Sequence, residues 1–96
     1  MLTRDELIKK LKEQKPVLAM KYSVRTLGLF GSFARNEQKS SSDIDLIVDF
    51  DKPIGIEFVV LAEELEKVLN LKVDLVSKKA IKMRYLKEFE KEIIYV

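Results

Sequence analysis

The stretch LFGSFARNEQKSSSDIDLIVDF, from Leu29 to Phe50, contains two carboxylates two residues apart within an apolar run. From Asp43 to Phe50 every second residue is apolar, which predicts a strand with one buried face. Asp43 and Asp45 share the other face, about 6.6 Å apart along the strand. Two carboxylates at this spacing can converge on one divalent cation or on two metal ions, although hydrated aspartates at an exposed strand end fit the same pattern.

A glycine-serine pair, Gly31-Ser32, precedes Asp43 by ten intervening residues and directly follows another predicted strand, Val24 to Phe30. Glycine allows the backbone to approach a ligand closely, and the serine hydroxyl and the N–H groups of the next turn can donate to an anion. A strand, a Gly-Ser pair and a helical turn within FARNEQ therefore predict a phosphate cradle. Gly-Ser is common in turns, so this prediction depends on its combination with the carboxylates.

A third carboxylate, Asp74, interrupts the apolar sequence KVDLV within a predicted strand from Leu71 to Val76. It lies on the face opposite to its leucine and valine neighbours. If this strand lies beside the one that begins at Asp43, the three aspartates can form an oxygen cage that would be costly without metal ions. An exposed aspartate at the end of a strand is the alternative interpretation.

The N-terminal segment predicts a helix. Thr3 and Glu6 form a predicted capping box, after which the apolar residues follow helical spacing to about Gln14. Pro16 is then predicted to end this helix or to open a further turn through Met20.

Two further helices are predicted in the second half of the chain. Apolar residues at helical spacing extend from about Ile56 to Leu69, and Asn70 can cap the C-terminal end of that helix. Ser77 is predicted to cap a last helix, in which Ile81, Tyr85 and Phe89 recur every four residues and face the core. The tail IIYV is either a short fourth strand or a continuation of that helix.

The order helix, strand, strand, helix, strand, helix predicts an α/β (α+β) fold, in which helices pack on a small mixed β-sheet. With 96 residues, of which 47% are apolar, the chain is predicted to form a single domain, residues 1–96. The loop between the first two strands is longer than a tight hairpin, which favours a site at that position.

The composition excludes several kinds of site. The chain has no cysteine and no histidine, which excludes thiolate ligands and imidazole catalysis and leaves oxygen ligands for any metal ion. We see no signal peptide and no apolar run of about 20 residues, so we predict a cytoplasmic protein without a membrane-spanning segment. The basic segment SKKAIKMRYLK has few aromatic residues, which disfavours direct nucleic-acid binding.

Gly31-Ser32, ten intervening residues and Asp43-Ile44-Asp45 together resemble the signature of the DNA polymerase β-like nucleotidyltransferase superfamily. The size of the chain and the segments GSFAR, SDIDLIV and VDLVS resemble the minimal nucleotidyltransferase (MNT) family in particular. The resemblance implies the polymerase β-like nucleotidyltransferase fold. It also implies that two Mg²⁺ ions are held by three carboxylates: Asp43, Asp45 and Asp74.

The same resemblance implies that Gly31 and Ser32 bind the β- and γ-phosphates of a nucleoside triphosphate. Arg35 would neutralise the charge of the leaving group, or else form a surface salt bridge. One departure is visible at Asn36, where many members of the family have glycine. Asparagine tolerates a left-handed backbone better than most residues, so the turn can be retained.

Minimal nucleotidyltransferases often act as antitoxins of HEPN-domain ribonuclease toxins. The resemblance therefore implies that this chain transfers AMP from ATP to a tyrosine hydroxyl of a HEPN toxin. Two alternatives are an antitoxin that neutralises its partner by binding alone, and a small-molecule enzyme similar to the aminoglycoside nucleotidyltransferases. A homodimer that completes the acceptor site is compatible with the last of these.

Overall fold

The computed structural model describes residues 2–96, and within them four α-helices and four β-strands alternate along the chain. The elements are α1 (Arg4–Tyr22), β1 (Val24–Phe30), α2 (Gly31–Ala34), β2 (Ile44–Phe50), α3 (Glu57–Leu69), β3 (Val73–Ser77), α4 (Met83–Phe89) and β4 (Ile94–Tyr95). Short 3₁₀ turns follow β3 and α4. No helix in the described part of the chain has the length and apolar character needed to cross a bilayer.

The four strands form one mixed sheet in the order β3-β2-β1-β4. The central strand β1 is antiparallel to both β2 and β4, whereas β2 and β3 are parallel and are joined by the crossover helix α3. The predicted mixed sheet is thus confirmed. The tail also forms the short fourth strand that was one of its two predicted states, because Gly28 pairs with Tyr95 and Leu29 with Ile94.

Helices α1 and α3 cover one face of the sheet and enclose the main core. The alternation predicted for β2 is confirmed on this face: its buried residues are Ile44, Leu46, Val48 and Phe50. They pack with leucines of both helices, namely Leu7, Leu11, Leu18, Leu61, Leu65 and Leu69. The opposite face of the sheet therefore remains for the polar residues of β2 and β3.

Helix α1 is longer than the sequence predicts. Its capping box is confirmed, with the Glu6 N–H donating to Thr3 Oγ1 at 3.1 Å. The prediction that Pro16 ends the helix or opens a separate turn is wrong, because the proline lies inside one continuous helix. An interior proline costs about 3 kcal/mol, but burial of Leu18 and Tyr22 contributes about 1.5–3 kcal/mol each and offsets that cost.

The C-terminal helix begins later than predicted. Ser77 ends β3 and does not cap α4, which begins at Met83. Tyr85 is 48% exposed, so its predicted place in the core is wrong, and the neighbouring Leu86 is the buried residue of this helix. Phe89 packs against the ring of Phe30 with a centroid distance of 5.2 Å, on the sheet face opposite to α1 and α3.

Candidate active site

Asp45 and Asp74 lie side by side on the sheet. β2 and β3 are parallel neighbours, and Asp45 is the register partner of Asp74. Because partners in register on adjacent strands point to the same face, both carboxylates lie on the face opposite to the helix-covered core. Asp45 is half-buried and Asp74 is exposed. β2 and β3 are therefore neighbours, as the predicted carboxylate cluster requires.

Asp43 immediately precedes β2 and is exposed. Its charge acts on Asp45: burial is the largest cause that raises the pKa of Asp45, followed by the charges of Asp74 and Asp43. The Arg35 guanidinium opposes this rise in pKa. A neighbouring positive charge would therefore stabilise the ionised form of Asp45.

Gly31 begins α2 and lies directly against the Asp45 carboxylate. Its backbone has a φ of +74°, and a Cβ at this position would lie 2.1 Å from Asp45 Oδ2. No residue with a side chain can occupy this position without moving the carboxylate. The glycine of the Gly-Ser pair is therefore required by two independent constraints, the left-handed backbone and the close approach of Asp45.

Ser32 follows Gly31 and is half-buried. Its carbonyl accepts from the Glu37 N–H at 2.8 Å, which ties the one-turn helix to the following loop. Asn36 has a φ of +60°, so the turn in which it replaces the glycine of many family members is retained in the left-handed form that the sequence predicts.

Arg35 lies at the end of α2 and is exposed. Its guanidinium forms two salt bridges, with Glu37 at 3.5 Å and with Glu92 at 3.4 Å. The surface salt bridge that was one of its two predicted roles is present. Its positive charge is nevertheless near enough to Asp45 to affect the pKa of that carboxyl.

The donor set of this site suits a hard cation such as Mg²⁺, because all of its charged ligands are carboxylates. As the side chains stand, no group of three acidic residues within residues 2–96 is close enough to hold a metal ion. Asp43 and Asp74 are exposed, so their side chains have room to turn towards Asp45. A divalent cation would relieve the repulsion that raises the pKa of Asp45.

A cavity of about 650 Å³ lies next to the site and not within it. It is lined by the start of α1, the loop before β2 and the turn after α3, and it includes Phe33, Ser42 and Leu71. None of the three aspartates lines this cavity. Asp43 and Asp74 are exposed and Asp45 is half-buried, so an acceptor can approach this group from solvent.

The structure also brings Lys78 and Tyr95 together on the carboxylate face. Lys78 Nζ donates to the Tyr95 hydroxyl at 3.3 Å and lies 5.3 Å from the centre of its ring. The two residues are far apart along the chain, and only the pairing of β4 with β1 brings them together. No local sequence pattern marks either of them.

Residues 4–96 match the family model of the nucleotidyltransferase domain. The chain belongs to this family. One relative of this nucleotidyltransferase, protein adenylyltransferase MntA of Thermococcus cleftensis, is 41% identical over 97 residues, which cover 100% of this chain and 98% of the relative. The predicted family and enzyme class are thereby confirmed.

Solved structures confirm the predicted fold of the nucleotidyltransferase. One structure, provisionally named as a minimal nucleotidyltransferase, matches with a TM-score of 0.82 and 28% identity, over 97% of this chain and 95% of the other. Another is a complex of a tri-AMPylated Shewanella oneidensis HEPN toxin with an MNT antitoxin. A chain of that complex matches with a TM-score of 0.59 and 22% identity, over 96% of this chain and 66% of the other, which shows a shared fold alone.

Proposed function

We propose that this nucleotidyltransferase transfers AMP from ATP to a tyrosine hydroxyl of a HEPN toxin and thereby acts as its antitoxin. The observation that carries this proposal is the position of the Asp45 carboxylate, against the backbone of Gly31 and beside Asp74. The name of the MntA relative supports adenylyl transfer to a protein. The complex that contains an AMPylated HEPN toxin supports the choice of acceptor.

Asp43, Asp45 and Asp74 would hold two Mg²⁺ ions after the exposed carboxylates turn inward. When bound, the ions supply positive charge to the triphosphate and to the oxygens on which charge develops during transfer. This assignment explains why three like charges share one part of the sheet. Burial first, and then the charges of Asp74 and Asp43, raise the pKa of Asp45 when no cation offsets them.

The acceptor hydroxyl oxygen forms a bond to the α-phosphorus while the bond from that phosphorus to pyrophosphate breaks. Asp74 lies on the acceptor side and takes the hydroxyl proton. Gly31 and Ser32 hold the β- and γ-phosphates through backbone N–H groups and the serine hydroxyl. Arg35 adds positive charge near the leaving pyrophosphate once it releases Glu37 and Glu92.

The test uses ATP labelled at the α-phosphate, the purified chain, Mg²⁺ and a candidate HEPN toxin. The wild-type chain should label the toxin, and Asp45→Asn should lower the rate about a thousandfold, because it removes several kcal/mol of transition-state stabilisation. Asp49→Asn is the matched control. Asp49 shares the strand and face of Asp45, but it lies four residues away and pairs with Arg25 at 3.8 Å.

Three outcomes would contradict the proposal. The first is an unlabelled toxin in the presence of the wild-type chain. The second is a toxin that Asp45→Asn silences as well as wild type does, which would favour neutralisation by binding alone. The third is transfer of the label to an aminoglycoside in preference to the toxin, which would favour the small-molecule enzyme.

A further inference from the structure

The ring of Tyr95 lies on the carboxylate face of the sheet. A Cβ placed on Gly28 would meet Ile93 Cγ2 at 2.5 Å, Ile47 Cγ2 at 3.0 Å and Tyr95 Cδ1 at 3.2 Å, so these three side chains lie over this glycine. Ile47 alternates with the core residues of β2 and therefore shares the face of Asp45. The ring thus extends from the edge strand β4 over β1 towards β2.

Lys78 holds the hydroxyl of this tyrosine. It follows β3, at the other edge of the sheet, and its Nζ donates to the Tyr95 hydroxyl at 3.3 Å. Lys78 lies four residues beyond Asp74, so the contact holds the phenol oxygen over the middle of the sheet, on the side of Ile47 that is away from Asp45 and Asp74. Because the ammonium group is the donor, the hydroxyl keeps its own proton available for transfer to a base.

The strand register places Tyr95 and the Gly-Ser pair on opposite sides of Asp45. Phe30 pairs with Asp45, and Gly31 continues beyond that pair in one direction. Tyr95 pairs with Gly28, which pairs with Ile47, and Ile47 lies two residues, or about 6.6 Å along β2, from Asp45 in the other direction. Across the sheet, β4 lies two strand spacings, or about 10 Å, from β2. In phosphoryl transfer the attacking and leaving oxygens lie roughly in line, so a leaving group held at Gly31 places the acceptor on the side of Tyr95.

We propose that the chain adenylylates its own Tyr95 when ATP is present and no partner occupies the acceptor side. This inference depends on the nucleotidyltransferase activity proposed above. Once the hydroxyl releases Lys78 and turns towards Asp45, Tyr95 Oη forms a bond to the α-phosphorus of ATP, the bond to pyrophosphate breaks, and the phenol proton passes to Asp74. The products are pyrophosphate and a chain that carries AMP on Tyr95. The attached AMP occupies the acceptor side, so self-modification competes with modification of the toxin.

Tyr85 provides a matched control for the local chemistry. Tyr95 is 42% exposed and Tyr85 is 48% exposed. The Arg84 guanidinium lies 4.8 Å from the Tyr85 ring centre and donates to its hydroxyl at 3.2 Å, much as Lys78 does for Tyr95. The two tyrosines differ in position, because Tyr95 lies on a strand of the sheet and Tyr85 lies on α4.

The experiment incubates the purified chain alone with Mg²⁺ and ATP labelled at the α-phosphate, and maps the label by peptide mass spectrometry. We expect AMP on the C-terminal peptide that contains Tyr95. Tyr95→Phe should lower self-labelling at least tenfold, whereas Tyr85→Phe should leave it unchanged. A tenfold dilution of the chain should not change the fraction labelled per minute, because the acceptor and the site belong to one molecule.

A parallel reaction that contains the HEPN toxin separates this inference from the proposed function. A labelled toxin together with an unlabelled wild-type chain in the partner-free reaction would overturn self-modification and leave the proposed function intact. Absence of label from both proteins would overturn both. The inference would also be overturned if Tyr95→Phe or Asp45→Asn still became labelled, or if the label mapped to another residue. A labelling rate that rises with chain concentration would overturn it as well. Thermal melting of Tyr95→Phe checks that the variant is folded.

Discussion

The two faces of the sheet contain very different residues, although they are formed by the same strands. On the helix-covered face, the four residues of β2 are at most 7% exposed and all are apolar. On the other face, β2 presents two aspartates with a single isoleucine between them. The difference shows that one face of β2 stabilises the fold, whereas the other face carries residues of the candidate active site. Neighbouring residues should therefore respond to substitution in opposite ways.

The carboxylate face is itself divided into two parts. The C-terminal segment covers one part, where Phe89 lies against Phe30 and Ile93 lies over Gly28. Ile47 is only 1% exposed as a result, although it faces away from the main core. Asp74 is exposed, whereas Asp45 is half-buried beside this segment, because its register partner Phe30 is the residue against which Phe89 packs. The covered part, which includes Tyr95, thus adjoins the carboxylates on the same face.

The largest effect on stability should follow from Leu46→Ala on the helix-covered face. Leu46 is 0% exposed, so its truncation should lower the free energy of unfolding by about 2–5 kcal/mol, measured by urea denaturation. Substitution of its sequence neighbour should have the opposite effect. Asp45→Asn should raise the free energy of unfolding, because it removes a negative charge that lies near other carboxylates and leaves the core intact. The separation of the two faces would be wrong if Asp45→Asn destabilised the chain as much as Leu46→Ala.

A smaller loss of stability should follow from Gly31→Ala. The substitution places a Cβ 2.1 Å from Asp45 Oδ2 and forces an L-residue to a φ of +74°, which costs about 1–2 kcal/mol for the backbone alone. Adenylyl transfer should fall as well, because Asp45 must move. The matched control is Gly55→Ala, whose Cβ would meet only Glu57 Oε2 at 3.7 Å. Equal effects of the two substitutions on melting temperature and transfer rate would contradict this account of Gly31.

The smallest effect concerns the pH dependence of stability. The pKa of Asp45 is raised above its ordinary value of 3.8, so the unfolded chain ionises this carboxyl at a lower pH than the folded chain does. The stability contributed by Asp45 should therefore fall as pH rises from 3.8 through the folded pKa. Asp45→Asn lacks this penalty, and its stability advantage over wild type should grow across that window. Denaturation of both proteins between pH 3 and 7 measures the difference, and a constant or shrinking advantage would contradict the raised pKa.

Most of the fold could be predicted because the strongest patterns were local. The alternation from Ile44 to Phe50 is a strand in the structure, and the left-handed caps at Asn36 and Asn70 follow from a property of asparagine. The errors occurred where tertiary burial overrode a local signal. Pro16 remained inside α1 because residues beyond it reach the core, and a one-residue shift in α4 exchanged Tyr85 for Leu86.

By itself, the sequence determined the residue types and spacings of the candidate site: a glycine-serine pair, two aspartates on one face of a strand and a third aspartate on another strand. It could not determine which strands are neighbours, since register depends on contacts between distant segments. Only the tertiary structure placed Asp74 beside Asp45, set the Asp45 carboxylate against Gly31 and brought Lys78 to Tyr95. The physical reason is that alternation along a strand is a local property of the chain, whereas the meeting of side chains from separate strands requires the complete sheet.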